Sequence, residues 1–280
     1  MHNRICAITA LAVLGAVTAL PAAAASAPKQ TAHLRSQLVA ADTAVRPGHA
    51  LQLGLLFEHD EHWHTYWRNP GDSGLRTEVE LSLPDGVQFH GIDWPAPERF
   101  VLSPEITNFG YSGRTLLPML LTVPANYAAE NFSIQLKARW LICEHECIPG
   151  QAEYQLGLPV QRTGVATRDA RWAADFARSA ARQPQAAAIT ATLQLTADGV
   201  QLNLAGDAIP RDLANWNLFP VVEELIDYGT LPNWQLHSGQ WQTALQRSDY
   251  FTALPERSEW LLVKGDQALA FTADAKKSAD

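Results

Sequence analysis

Cysteine is scarce in this chain, with three residues in 280. Cys6 sits at the start of an apolar N-terminal run, which leaves Cys143 and Cys147 for the body of the protein. So few cysteines exclude a disulfide-dense scaffold and a four-cysteine zinc site. Basic charge is not in excess either. The 21 Lys and Arg stand against 29 Asp and Glu, giving a formal charge of −8. A nucleic-acid binder needs basic patches, so nucleic acid is excluded as a partner class. Past residue 27 no apolar run approaches the roughly 20 residues that a membrane helix takes. There is no G-x-S-x-G elbow, no H-E-x-x-H pair and no phosphate-binding glycine loop, and no two carboxylates stand out as an acid–base couple.

The residues that are present describe a globular protein. Apolar residues make up 47% and charged residues 18%, enough to build a core. The nine Trp are many for this length, and aromatics of this kind fill β-sandwich cores and binding surfaces. Residues 1–27 read as a secretory leader. Arg4 is the basic start, Ile5 to Leu20 the apolar run, Pro21 the break, and Ala22 to Ala25 the small residues for cleavage. An uncleaved anchor is the alternative. Cys6 precedes the apolar core and is not placed as a lipid-anchor cysteine. The body of the protein is expected in an exported compartment, where disulfides persist.

Two β-rich domains are expected, over 32–160 and 188–273, joined by a linker at 161–187. In the first, strand-like segments fall at Leu34–Ala40, Ala50–Glu58, Thr77–Leu83, Leu116–Val123, Phe132–Ile142 and Ala152–Leu158. Several alternate apolar and polar residues, as in Ser133-Ile134-Gln135-Leu136, and Pro-Gly or Asp-Gly pairs punctuate the gaps. Short strands with turn signals between them predict an all-β, immunoglobulin-like sandwich. Thr167 to Arg182, rich in Ala and Arg and stopping before Pro184, predicts a short connecting helix. The second domain offers strands at Ile189–Leu195, Val200–Leu204, Trp216–Phe219, Trp234–His237, Trp241–Leu245, Trp260–Lys264 and Ala268–Phe271. It is read as a second β-sandwich-like unit. Having no Cys and one His, it shows no chemistry of its own. Asp274 to Asp280 is a polar tail.

Chemistry concentrates at Cys143 and Cys147. On one extended strand they would lie roughly 13 Å apart, whereas a disulfide needs Cα atoms within about 7 Å. The chain must therefore turn through Glu144-His145-Glu146, as a hairpin or as one helical turn. A ring of about five residues stabilises a fold by only about 2 kcal/mol in the chain-entropy model, which is little help to a chain of this size. That favours exchange chemistry, with a structural staple and a metal site as the other readings. Glu144 and Glu146 oppose a thiolate, and a protonated His145 would favour one. A strongly activated thiolate is not expected, and attack by a partner's thiol on the oxidised pair is left open as the other route.

A second cluster runs from His59 to Gly74. His62 and His64 share a face on a strand and, with Cys143, His145 and Cys147, would make a chemically reasonable copper or zinc site. The plainer reading is a polar loop followed by an aromatic strand, with Asn69-Pro70-Gly71-Asp72 as a turn.

The string Trp63-His64-Thr65-Tyr66-Trp67-Arg68-Asn69-Pro70-Gly71-Asp72-Ser73-Gly74 resembles the N-terminal periplasmic region of the DsbD-type thiol:disulfide interchange proteins, in the branch that includes the suppressor of copper sensitivity B protein. Trp94 to Phe100, Phe109-Gly110-Tyr111, and Trp140 to Cys143 with Cys147-Ile148-Pro149 extend the resemblance in the family's order. It covers the first domain well and the second loosely. The resemblance implies an immunoglobulin-like first domain with Cys143 and Cys147 as exchanging thiols in the periplasm. It implies a membrane thiol–disulfide reductase domain as electron donor and thioredoxin-fold periplasmic proteins as acceptors, with no cofactor and no metal. Phe109 and Tyr111 fall in the segment similar to the family's capping loop, and His64 and Tyr66 are expected beside the pair. Two departures stand out. The cysteines here are closer in sequence than in the best-known members, and no thioredoxin-like C-x-x-C is present. The chain is therefore expected to be one component of a protein-disulfide reductase relay, either free-standing or part of a longer product, and not a complete reductase. A periplasmic copper- or zinc-binding module is the alternative, and a docking module with a structural disulfide is a third reading.

Overall fold

The computed structural model describes residues 24–276. The leader reading falls outside them except for its last residues. Ala24 to Ser26 run along the second strand, with Ala40 N donating to Ala24 O at 2.7 Å and Ser26 N to Leu38 O at 2.8 Å.

The strands begin with β1 (Lys29–Thr31), β2 (Leu34–Ala40), β3 (Ala50–His59), β4 (His64–Gly71), β5 (Glu78–Ser82) and β6 (Gln88–Ile92). They continue with β7 (Glu98–Ser103), β8 (Ile106–Ser112), β9 (Arg114–Thr122), β10 (Asn131–Cys143) and β11 (Cys147–Pro159). After helix α1 (Ala173–Ala181) come β12 (Gln185–Ala186), β13 (Thr190–Leu195), β14 (Gly199–Ala205) and β15 (Asn217–Pro220). The last four are β16 (Gln235–His237), β17 (Gln240–Gln246), β18 (Arg257–Lys264) and β19 (Gln267–Ala275).

The first eleven strands make two facing sheets. One has the order β1-β2-β3-β9-β6, and the other β11-β10-β4-β8-β7, with β5 on the open edge of β10. Strand β10 shows the period-two logic most clearly. Phe132, Ile134, Leu136, Ala138, Trp140 and Ile142 are buried, and the residues between them face outward. In β3 and β9 this alternation is masked because both faces are covered. On the outer face, Leu56 and Leu116 pack with Val39 and Ala41 beneath Phe176 of α1. Burying a side chain such as Phe176 stabilises the fold by about 1.5–3 kcal/mol. Arg114 adds a fork to the buried Asp175, at 2.7 and 2.8 Å.

The helix is shorter than its sequence predicted. Asp169 folds back onto Arg171 N at 3.1 Å, so the segment before Trp172 is a turn and not a first helical turn. Strands β12 to β19 join into one continuous eight-stranded sheet. One buried cluster runs through both units, with Trp67 and Phe109 meeting Phe219 and Tyr228. No helix among the described residues is long and apolar enough to cross a membrane.

Candidate functional site

Strands β10 and β11 form a hairpin whose last register pair is Cys143 with Cys147. The turn left open by the spacing is thus a hairpin loop, Glu144 to Glu146. It brings the two Cα atoms to 4.2 Å, and the cysteines are joined as a disulfide. The two sulfurs are not equivalent. Cys143 is 1% exposed, while Cys147 faces solvent.

Strand β4 supplies the wall behind the pair. His64 is in register with Cys143, and two residues on, Tyr66 shares that face. The Tyr66 hydroxyl donates to Cys143 Sγ at 2.8 Å and lies 3.4 Å from Cys147 Sγ. Asn108 Nδ2 donates to the same hydroxyl at 3.4 Å, and Asn108 Oδ1 in turn accepts from Ser73 N and Ser73 Oγ at 3.1 Å. Gly74 lies flat on the Tyr66 ring, where a Cβ would stand 2.2 Å from Cε1.

Burial controls the electrostatics here. It pushes the Tyr66 phenol up to about 12, so this group stays a proton donor. It pushes His64 down to about 4, helped by the neighbouring His59, so His64 is neutral near pH 7. His64 stacks on Phe100 at 4.4 Å and 14°, and its Nε2 is buried without a hydrogen-bond partner. His59 is also held at about 4 by burial, with Nδ1 on Gly113 O and Nε2 on Thr65 Oγ1.

His64 and Tyr66 thus lie at the pair. Phe109 and Tyr111 do not. In the β4–β8 register, Tyr66 opposes Gly110 and His64 opposes Ser112, so Phe109 and Tyr111 point to the other face. Phe109 packs edge-on to Phe219 and Tyr228, and the Tyr111 hydroxyl donates to Pro95 O at 2.7 Å. His145 stands at the loop tip with its side chain 95% exposed.

The expected turn at Asn69-Pro70-Gly71 is instead the end of β4, carrying a register shift between Tyr66 and Gly71. Asn69 Oδ1 accepts from Gly71 N at 3.0 Å, and Gly71, at φ +90°, leaves no room for a Cβ against Thr107 O. The turn-forming residues therefore build an irregular break in the β4–β8 register within the strand.

Asn108, Ser73, Gly74 and Phe100 complete the site, and sequence reasoning gave none of them a role. Phe100, Ser73 and Gly74 sit inside the quoted motifs. Asn108 precedes one of them by a single residue, on the opposite strand face.

Further along the same hairpin, lined by neither cysteine, is a cleft of about 770 Å³ with Gly74, Leu75, Arg139, Leu141 and Pro149 among its walls. The pairs Leu141–Pro149 and Arg139–Gln151 follow Cys143–Cys147 by steps of two, so they share its face. No group of three or more His, Cys, Asp or Glu among the described residues is arranged to hold a metal ion.

Residues 35–159 match the family model described as thiol:disulfide interchange protein DsbD, N-terminal. Among solved structures, the N-terminal periplasmic domain of ScsB from Proteus mirabilis aligns with 90% of this chain and 98% of its own, at TM-score 0.63 and 17% identity. The yeast GGA1 GAE domain covers 47% of this chain and 97% of its own at TM-score 0.28 and 10% identity. The periplasmic chaperone SfaE covers 85% and 98% at TM-score 0.23 and 9% identity. Among curated proteins none matches the sequence. The matched residues 35–159, which hold the Cys143–Cys147 hairpin, are thus recognised as a DsbD-type N-terminal domain.

Proposed function

We propose that the chain is a periplasmic thiol–disulfide exchange unit that passes electrons from a membrane reductase domain to thioredoxin-fold proteins through Cys143 and Cys147. The observation that carries this reading is the asymmetry of the pair. Cys147 is exposed, and Cys143 is buried under the Tyr66 hydroxyl. In the reduced protein the Cys147 thiolate attacks a partner disulfide, forms a mixed disulfide and releases one partner thiolate. The Cys143 thiolate then attacks Cys147 Sγ, which closes the Cys143–Cys147 bond and releases the second partner thiolate. Two electrons move to the partner, and its two thiolates take up protons from solvent. The Tyr66 hydroxyl, protonated throughout, donates to Cys143 whether that sulfur attacks or leaves.

The leader-like segment 1–27 supports an exported location, as does the periplasmic origin of the ScsB domain. The sequence holds no second cysteine pair beyond Cys143 and Cys147, so a separate reductase domain has to restore the dithiol. A trapping experiment tests the order of events. Cys143→Ser should accumulate a mixed disulfide through Cys147 with a thioredoxin-fold partner, and Cys147→Ser should accumulate none. If both variants fold and both still reduce the partner at the original rate, the reading is wrong.

A further inference from the structure

We infer that Tyr228, in the loop between β15 and β16 of the C-terminal sheet, is a positioning residue for the Cys143–Cys147 centre. The inference rests on the exchange reading above and gives the C-terminal unit a part in it.

Three strands form the wall around the pair, each through one side chain. β4 contributes Tyr66, β7 contributes Phe100 stacked on His64, and β8 contributes Asn108 on the Tyr66 hydroxyl. All three strands are also fastened from behind to Tyr228. Asn69 of β4 donates Nδ2 to the Tyr228 hydroxyl at 3.2 Å. Arg99 of β7 donates Nη2 to the Tyr228 carbonyl and, at 3.3 Å, to Gly229 O. The Phe109 ring of β8 meets the Tyr228 ring at 5.0 Å and 66°. Arg99 is the neighbour of Phe100 and Phe109 the neighbour of Asn108. On a strand, adjacent residues point to opposite faces. Arg99 and Phe109, which hold Tyr228, thus sit directly behind Phe100 and Asn108, which pack on His64 and bond Tyr66, while Asn69 lies three residues along β4 from Tyr66.

Tyr228 is itself fixed. It is 4% exposed, and its hydroxyl accepts Glu224 N at 2.8 Å. Asn69 has no freedom either. It is fully buried, with Nδ2 also on Pro220 O at 2.9 Å. Loosening Tyr228 therefore acts on all three wall strands at once, and the Tyr66–sulfur hydrogen bond registers the movement. A phenol donates more strongly to a thiolate than to a disulfide sulfur, so weakening it favours the oxidised pair.

The test uses the full chain and its equilibrium with glutathione, at a pH above the titration of the Cys143 thiol, where the reduced sulfur is the thiolate. Tyr228→Phe should shift the pair toward the disulfide by up to about tenfold, which is about 30 mV for a two-electron couple. In a Tyr66→Phe background the same change should add nothing, because the group it positions is gone. Arg99→Lys, which leaves the Tyr228 hydroxyl in place, is read the same way should Tyr228→Phe fail to fold. A purely structural role would lower the unfolding temperature and leave the equilibrium constant alone. That result, or additive shifts in the double variant, overturns the inference while exchange by the wild type stands. A wild type that exchanges with no thioredoxin-fold protein would instead sink the exchange reading itself.

Discussion

Replacing Tyr66 by Phe removes one oxygen and leaves the ring packed on Gly74. That oxygen makes the 2.8 Å hydrogen bond to Cys143 Sγ and lies 3.4 Å from Cys147 Sγ. A hydrogen bond to a charged group contributes about 1.5–3 kcal/mol, and one to a neutral group about 0.5–1.5. The difference, about 1 to 1.5 kcal/mol, is what the Cys143 thiolate loses relative to its thiol. One pKa unit corresponds to 1.36 kcal/mol, so the Cys143 thiol should titrate about one unit higher in Tyr66→Phe. The sign follows from which form is stabilised. The phenol stays protonated to about pH 12, and toward a thiolate, which has no proton to give, it can only donate, so it favours the thiolate across the working range. Thiolate absorbance against pH, measured in a Cys147→Ser background, isolates the Cys143 titration. Loss of the oxygen also leaves Asn108 Nδ2 short of its acceptor, so some stability should go as well. A partner thiol attacking Cys147 in the oxidised protein has Cys143 as leaving group, and a higher leaving-group pKa slows that step. If the Cys143 pKa is unchanged in a folded Tyr66→Phe protein, the hydroxyl does not tune this sulfur.

Gly74→Ala tests the same hydroxyl by displacement. The new Cβ would stand 2.2 Å from the Tyr66 ring, and the backbone there has φ +101°, so the ring must move. The Cys143 pKa should rise as in Tyr66→Phe even though the phenol is still present, and an unchanged titration would refute this. Acid should weaken the fold through His59 and His64, both lowered from 6.5 to about 4 by burial. Below about pH 6.5 the unfolded imidazoles bind protons while the folded ones do not, so stability is full above that pH and is lost as pH falls toward about 4. For the buried His64 the loss is on the order of 2 kcal/mol. Urea unfolding across this window should show it, and His64→Gln should flatten the slope. A slope equal to wild type would refute the assignment.

The strands were largely legible because their cues are local. The alternation in β10 and the strand-forming runs of the C-terminal sheet lie within a few residues of each other, and most observed strands fall within one or two residues of the expected ones, with β11, β18 and β19 extending further. Of the missed strands, β1 and β12 are very short, and β6, β7 and β8 lack such a pattern. The register shift in β4–β8 spoils the regular spacing there, and Gly110 is needed so that β4 can approach. The cysteine pair was legible from scarcity and spacing, but its surroundings required knowing which strand lies beside which. Sequence gives the parity of side chains within a strand, while pairing decides which parity faces the sulfur. Phe109 was singled out where its neighbour Asn108 is the residue that reaches Tyr66. The C-terminal unit showed no chemistry because it has no reactive side chain. Its contribution, the hydroxyl and carbonyl of Tyr228 against Asn69 and Arg99, is a matter of contact across more than a hundred residues of sequence.

The position of the disulfide in the hairpin bears on why a staple is the weaker reading. A staple is most effective where it closes a long loop that nothing else closes. Here the two strands are each 13 residues long and remain in register from Asn131–Pro159 up to Cys143–Cys147. The hairpin ladder has already brought the two cysteines together. Because the ring it closes spans a sequence separation of only 4, the bond removes little chain entropy from the unfolded state, and opening it leaves the ladder and the buried Phe132-to-Ile142 face in place. A covalent bond so placed is nearly decoupled from folding, which is the condition for a disulfide to open and close repeatedly in an intact domain. The burial of Cys143 beneath Tyr66 then keeps the inner thiol within reach of the outer one while the bond is open.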